Sequence, residues 1–469
     1  MKNVLEWLEA TVAKYPDKPA FSDTESSITF RQVYDIARNT GAYLIGQLGV
    51  DRTPVAVFAG RKMVTPAYFL GVVYAGRPYA PIDASLPDKR IEKILENLCP
   101  RAIVADRESL EHVESIVDEL AKAEGFDRPQ IFIAEDISHF EQVSCADSNC
   151  KISESAGDAV TDSENDTDGG VVASCAGKTD DSSLDMLAAV RRQMSMTDPL
   201  YIIYTSGSTG NPKGVMTSHL SLMTYINAYC DVMHIEESDV LGNQSPLDYI
   251  AAIRDIYLPL KTGCSTAIIP KEYFMEPNAL FDYMNDKKVS SVGWSVSAFT
   301  ILTSLGAFEE VGLKSLRKIC FSGSVMPCRV LRKWQENLPE AHFVNQYGPT
   351  EATASCTYYS VDHTVEDDEV LPIGRAYDNY RVFLIDEHGN EPAVGEQGEI
   401  CVCGPILALG YYNDPERTAA AFTLNPLNKA YPERMYRTGD YGRLDEDGIL
   451  HFCGRMDRQI KHMGTPCGA

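Results

Sequence analysis

The sequence predicts an α/β protein with doubly wound, mainly parallel sheets and a smaller β-rich subdomain near its end. Three observations carry this expectation. Short apolar runs alternate with amphipathic helical segments over residues 1–134 and again over 198–350. From about 370 to 455 the pattern changes to short strands separated by turns. The 469 residues, 44% hydrophobic and 23% charged, can bury a large core without disulfide or metal staples.

Taken in order, LEWLEATVAKY reads as a helix with Leu5, Leu8 and Val12 on one face. SITFRQVYDIARNTGAYLIGQL is a short strand and then a helix, whose start is marked by Thr29 and Gln32 as a capping box. PVAVFAG is a buried strand between Pro and Gly, and RAIVAD and PQIFIAE are further short apolar runs. Residues 141–185 break the alternation. Over 141–190 eleven acids face two lysines, giving a net charge of −9. Such a segment buries too little apolar surface to offset its ordering entropy, so a disordered acidic insert is expected, with order resuming at Asp198. YRVFLIDEHGNEP, GEICVCG and RLDEDGILHFCGR then carry hairpin signals. No internal repeat is present.

The net charge is −25, from 42 basic and 67 acidic side chains. A surface this acidic repels phosphate backbones and anionic lipid, which argues against nucleic-acid and membrane partners. The 13 cysteines form no CxxC pair and read as reduced thiols of a cytoplasmic protein. The N-terminal stretch, with Glu6 and Glu9 among its apolar residues, is a helix and not a signal peptide.

The strongest local signal is YIIYTSGSTGNPKGV, Tyr201–Val215. A strand runs into Thr205, Ser206, Gly207, Ser208, Thr209 and Gly210, and Lys213 follows. Glycines let backbone N–H groups wrap a phosphate, hydroxyls add donors, and the lysine adds positive charge. It is not the GxxxxGK[ST] loop, because Gly214 follows Lys213.

This stretch resembles the phosphate signature of the AMP-forming adenylating superfamily: acyl-CoA synthetases, luciferases and nonribosomal peptide synthetase adenylation domains. Five more segments resemble the family's motifs in its order. They are YAGRPYAPIDASLPDKRI (Tyr74–Ile91), NQYGPTEAT (Asn345–Thr353), GEICVCGPILALGYY (Gly398–Tyr412), YRTGD (Tyr436–Asp440) and GRMDRQIKHMG (Gly454–Gly464). The style is closest to amino-acid adenylation domains, including D-alanine–carrier-protein ligases. The resemblance implies a large N-terminal core of two stacked doubly wound αβ subdomains, about 1–140 and 195–365. A β-rich subdomain at about 366–455 and a hinge motif at 454–464 complete it.

It also implies ATP-dependent activation of a carboxylic acid as acyl-AMP, with Mg²⁺, for transfer to a carrier-protein phosphopantetheine thiol. An amino acid is the expected substrate. Alternatives are an acyl- or aryl-CoA ligase core and a non-catalytic nucleotide-binding protein. By the family's pattern, Thr205–Lys213 holds the β- and γ-phosphates, Thr350 contacts the α-phosphate, and Glu351 ligates Mg²⁺. Thr205, Lys213, Thr350 and Glu351 are thus the expected catalytic residues. Tyr347 would stack on adenine, with the Gly323–Ser324 backbone beside the base and Gln346 and Gly348 flanking. Asp440 would accept the ribose hydroxyls, Arg455 would assist there, and Asp457 would be the hinge.

A gap-free alignment of DIYLPLKTG (Asp255–Gly263) with the family's pocket helix gives the acyl-pocket candidates. They lie between a 245–260 helix, the strand near 294, the strand at 320–324 and the segment after YGPTE. They are Ile250, Ala251, Arg254, Trp294, Cys320, Ser322, Gln346, Ala354 and Ser355. Amino-acid-activating members place an Asp where Ile250 falls; Asp248 serves only if the chain bulges by two residues. Arg254 pairs either with a second substrate carboxylate or, as a surface residue, with Asp255 or solvent. After GRMDRQIKHMG the chain reads TPCGA. The family's C-terminal lid, with its lysine, is therefore expected to be absent and turnover by this chain alone impaired.

Overall fold

The computed structural model describes residues 2–123, 125–138, 181–206, 211–455, 460–462 and 465–467. Two twisted sheets stack face to face. The seven-stranded sheet runs Gly410–Tyr411, Pro212–Ser218, Pro199–Ser206, Tyr79–Pro81, Val55–Phe58, Ala102–Ala105, Gln130–Ile133. Its last five strands are parallel, and Pro212–Ser218 returns antiparallel to Pro199–Ser206. The nine-stranded sheet has a parallel centre of His342–Tyr347, Lys318–Ser322, Ser291–Ser295, Val240–Asn243, Ser265–Ile268 and Pro19–Ser22. Antiparallel strands Thr357–Val361 and Ser27–Thr29 flank it. An antiparallel five-stranded sheet over Arg381–Arg455 forms the β-rich unit.

The expected α/β class and β-rich unit are both present, but the sheets cut across the expected segment boundaries. The N-terminal pair Pro19–Ser22 and Ser27–Thr29 belongs to the nine-stranded sheet, pairing through Ser265–Ile268. The strands Pro199–Ser206 and Pro212–Ser218 belong to the seven-stranded sheet. Chain order does not separate the sheets, because strand pairing joins residues far apart in sequence.

Strand alternation explains the layering. Inner faces contribute Val57, Val104, Ile203, Leu241, Cys320 and Val344 to one core between the sheets. Outer faces contribute Phe58, Ile103 and Ile202 on one side, and Val292, Trp294, Phe321 and Phe343 on the other. Helix Thr65–Tyr74 is buried on every side, as its near-continuous apolar sequence requires. It crosses Phe30–Leu48 where Gly41 meets Tyr74 and Gly71 meets Thr40. A Cβ on Gly71 would lie 2.5 Å from Thr40 Cβ. The Phe30–Leu48 helix begins with the expected capping box: Thr29 N donates to Gln32 Oε1 at 2.9 Å and Gln32 N to Thr29 Oγ1 at 3.2 Å.

Residues 141–180 of the expected insert lie outside the described residues. Its far end is a correction: helix Asp181–Gln193 begins inside the segment and before Asp198. Leu187, Val190 and Met194 are buried, and Val190 sits against Gly76, so this helix has an apolar stripe that the acidic composition around it masks. The expected 245–260 helix starts later, as a 3₁₀ turn Ile250–Ala252 followed by Ile253–Thr262. Nine described cysteines are free thiols. No helix among the described residues is long and apolar enough to cross a membrane.

The helix crossing makes a prediction. Gly71→Ala should destabilise the protein by about 1–3 kcal/mol through overpacking, read as a lower thermal-unfolding midpoint. Gly46→Ala on the partner helix Phe30–Leu48, where nothing lies within 4 Å of a new Cβ, should not lower it.

Candidate active site

The phosphate motif runs along the two antiparallel paired strands Pro199–Ser206 and Pro212–Ser218 of the seven-stranded sheet. Thr205 pairs with Lys213 and Ser206 with Pro212 across them. Gly214 permits their close approach, since a Cβ there would lie 2.8 Å from Ile202 and 2.9 Å from Tyr204. Thr205 is buried, and its hydroxyl has no partner among the described residues. Gly207, Ser208, Thr209 and Gly210 lie outside the described residues, as does Asp457.

Lys213 leaves this sheet and reaches Glu351, which follows strand His342–Tyr347 of the other sheet in the 3₁₀ turn Thr350–Ala352. The Lys213 ammonium bonds Glu351 Oε1 directly. Tyr411 donates its hydroxyl to the same oxygen at 2.7 Å, and Lys213 Nζ lies 3.3 Å from that hydroxyl. Glu351 is only 3% exposed. Burial pushes its carboxyl up, but the Lys213 charge and the bonds from Lys213 and Tyr411 more than offset this and hold it below the usual glutamate range. Burial, followed by the Glu351 charge, pushes the Tyr411 phenol far up, so it stays a donor.

A second cluster lies where the nine-stranded sheet meets the β-rich unit. Tyr347 donates to Asp440 Oδ2 at 2.5 Å and Arg455 Nη1 to Oδ1 at 2.9 Å, while Asp440 and Arg455 face each other across paired strands. Thr438 Oγ1 accepts from Asp440 N at 3.1 Å and donates to Ile400 O at 2.7 Å, which holds this part of the strand against its neighbour. Burial, then Asp440, pushes the Tyr347 phenol well up.

The backbone between the clusters is tightly folded. A Cβ on Gly348 would lie 2.5 Å from Ser355 Cα, so only glycine fits. Thr353 and Ala354 adopt left-handed conformations at φ 47° and 77°. Such conformations in residues with a Cβ are strained and recur at functional sites. Gly323 has φ 96° and open space at its Cβ position, leaving the Gly323–Ser324 backbone uncovered.

The acyl-pocket candidates divide. Arg254 is not a surface residue: it is 2% exposed on the inner face, in the core between the sheets. Its guanidinium bonds Gly293 O at 2.5 Å and approaches Gln346 Oε1 at 3.4 Å and Cys320 Sγ at 3.6 Å. Ser355 Oγ is 3.5 Å from Gln346 Oε1, while Ile250 is buried and Ala251 half-buried nearby in sequence. Ser322 shares the Cys320 face of its strand by alternation. Trp294 is a correction. It shares the outer face with Val292, donates to Gly242 O at 2.8 Å and packs against Phe299 and Trp334, so its neighbour Gly293 is the residue that meets Arg254. Asp248 groups with Asp83 and Arg90 instead of Arg254; burial, then the Asp83 charge, pushes its carboxyl up to about 6.

Sequence reasoning missed Tyr411, whose GY dipeptide it quoted without a role, and the tyrosines around Arg254. Tyr225 and Tyr229 are four apart on helix His219–Met233 and so share a face. Tyr377 and Tyr380 come from a strand-free segment with no comparable signal.

A protein-family profile described as AMP-binding enzyme matches residues 8–412. The chain therefore belongs to the AMP-binding enzyme family. It is 30% identical over 463 residues to D-alanine–D-alanyl carrier protein ligases of Bacillus cereus (strain Q1) and Bacillus anthracis, covering 98% of this chain and 80% of each relative. Two solved structures share the fold. One is the nonribosomal peptide synthetase FmoA3, with TM-score 0.76 and 22% identity over 97% of this chain and 42% of that one. The other is the Klebsiella oxytoca NpsA N-terminal subdomain in complex with 3-hydroxybenzoyl-AMSN, with TM-score 0.73 and 19% identity over 97% of this chain and 100% of that one.

The buried pair sets a pH-dependent prediction. Because the folded-state value of Glu351 is lowered, its stabilisation is present above the ordinary glutamate value of about 4.3 and is lost as pH falls through the folded value. Lys213→Met strands a buried carboxylate and should cost about 3–5 kcal/mol near pH 7. Denaturation curves at several pH values should show the gap to wild type narrowing on acidification, as the stranded carboxyl takes up a proton.

Proposed function

We propose that this chain activates an amino acid with ATP, forming an acyl-adenylate and pyrophosphate, and passes the acyl group to a carrier-protein thiol. The observation that carries the proposal is the placement of two charged clusters, Lys213–Glu351 and Asp440–Arg455, on either side of the Tyr347–Glu351 segment. One suits phosphates and the other a ribose. The amino-acid and carrier-protein parts rest on the names of the similar Bacillus ligases.

In the adenylation step a substrate carboxylate oxygen attacks the α-phosphorus, and the α–β bridging bond breaks with its electron pair leaving on pyrophosphate. Two anions must meet, so positive charge and donors have to be in place beforehand. Lys213 supplies a charge on a strand whose partner carries the unpartnered Thr205 hydroxyl. On nucleotide binding it exchanges the Glu351 carboxylate for phosphate oxygens. Thr350, beside Glu351, donates to the α-phosphate. Asp440 accepts the two ribose hydroxyls, held in place by Tyr347 and Arg455. The Tyr347 ring and the open Gly323–Ser324 backbone, with Gln346 and Gly348 alongside, receive the base.

Mg²⁺ fits Glu351. The carboxylate is anionic at neutral pH, and the described residues include no group of three metal-ligating side chains. A hard cation held by one carboxylate and by substrate phosphates matches that donor set. When bound, it neutralises charge on the phosphates. Thiol transfer follows: the carrier sulfur attacks the acyl carbon, and AMP leaves.

Calorimetric titration with ATP and with AMP checks this. Asp440→Asn weakens a charge-assisted acceptor and should raise the dissociation constant of both nucleotides by about 10-fold or more. Glu351→Gln should weaken ATP in the presence of Mg²⁺ more than it weakens AMP. Wild-type chain that binds neither nucleotide would remove the proposal.

A further inference from the structure

Arg254 is a buried cation whose charge acts on the adjacent buried carboxyl of Asp255 without a direct ion pair. It makes no ion pair among the described residues, and its hydrogen-bond partners are a carbonyl, an amide oxygen and a thiol. Its Nε has no partner among the described residues. Its neighbour in sequence, Asp255, is engaged elsewhere, accepting from Asn243 Nδ2 at 2.8 Å. Cys320 is no substitute, because burial pushes its thiol up despite Arg254. A guanidinium in a core without a direct ion pair is costly, and a bound anion would offset that cost.

The surroundings are built to seat it. Gly293 leaves its Cβ position to Arg254: a methyl there would lie 2.7 Å from the guanidinium carbon. Gln346 is oriented by its Nε2, which donates to Tyr377 at 2.7 Å, leaving Oε1 toward the arginine. The Tyr229 ring lies 5.6 Å from the guanidinium. The Tyr225 hydroxyl is buried beside Arg254 and Ser355, both of which act on it, and forms no well-aligned hydrogen bond among the described residues. A guanidinium with a free N–H beside such a hydroxyl is a donor set for a carboxylate. Beyond Asp255, the expected acidic position supplies no anion: Ile250 stands there, and Asp248 is grouped with Asp83 and Arg90.

We infer that Arg254 is the specificity residue of the acyl pocket and binds a second carboxylate of the substrate, so that the acid activated is a dicarboxylate. This rests on the adenylation reading above and narrows its substrate class. An acidic amino acid and an unsubstituted diacid share the chemistry.

The test is calorimetric titration of the full chain with non-hydrolysable acyl-sulfamoyl adenosines, alongside AMP. Aspartyl, glutamyl, succinyl and glutaryl forms are compared with their neutral asparaginyl, glutaminyl and amide counterparts and with the alanyl form. At least one acidic form should bind about 10-fold or more tightly than its neutral counterpart. A preference confined to the amino-bearing or the amine-free forms names the source. Arg254→Gln should abolish the preference, with AMP titration reporting whether the variant still folds; the wild-type series decides the matter even if it does not. If AMP binds and no acidic form is preferred, or the alanyl form binds most tightly, the dicarboxylate assignment is overturned alone. If AMP does not bind, the adenylation reading falls and takes this assignment with it.

Discussion

The site depends on one contact, the buried pairing of Lys213 with Glu351. Each sheet contributes one partner. Lys213 stands on strand Pro212–Ser218 of the seven-stranded sheet, and Glu351 on the turn that ends a central strand of the nine-stranded sheet. A charge pair this deeply buried gains little net stability, because desolvation offsets much of the attraction. What it does is fix position. Each charge needs the other, and Tyr411 joins them from a strand paired with Pro212–Ser218, at Val215 and Met216. The phosphate motif is thereby set directly against the segment that carries Tyr347, Thr350 and Glu351.

The same segment links the two charged clusters. Tyr347 begins it and bonds Asp440 of the β-rich unit; Glu351 ends it and bonds Lys213. Between them the chain doubles back at Gly348, and just beyond Glu351 it passes through two left-handed residues, Thr353 and Ala354. Strain of this kind persists only where surroundings impose it, and here hydrogen bonds from both ends do so. Ala408 N to Glu351 O at 2.8 Å and Thr353 Oγ1 to Ile406 O at 2.7 Å tie the turn to the loop before Gly410.

Much of this was legible in the residues, for physical reasons that differ from one element to the next. The capping box at Thr29 and Gln32 is a local interaction, so local sequence sufficed. The phosphate loop stood out because four hydroxyls, two glycines and a lysine follow directly on a strand, whereas Thr350, Glu351, Asp440 and Arg455 were expected only through the family resemblance. Sheet membership was not legible, since the first strand pair joins a sheet built mostly from residues beyond 240. Helix Asp181–Gln193 was hidden because its apolar stripe is short and acids dominate the window around it. Trp294 was misplaced by one residue of register, and in a strand one residue exchanges the inner face for the outer. Val292 on the same face, with Phe321 and Phe343 on the neighbouring strands, shows that the outer layer claims it.

The central claim is that Lys213 rests on Glu351 until a nucleotide's phosphates take it. A crystal structure of the full chain with Mg²⁺ and a non-hydrolysable ATP analogue tests this most directly. The account predicts Lys213 Nζ within hydrogen-bond distance of a phosphate oxygen, Glu351 beside the metal, and the ribose hydroxyls on Asp440. Nucleotide bound with the Lys213–Glu351 contact intact, or bound away from Asp440, would contradict it.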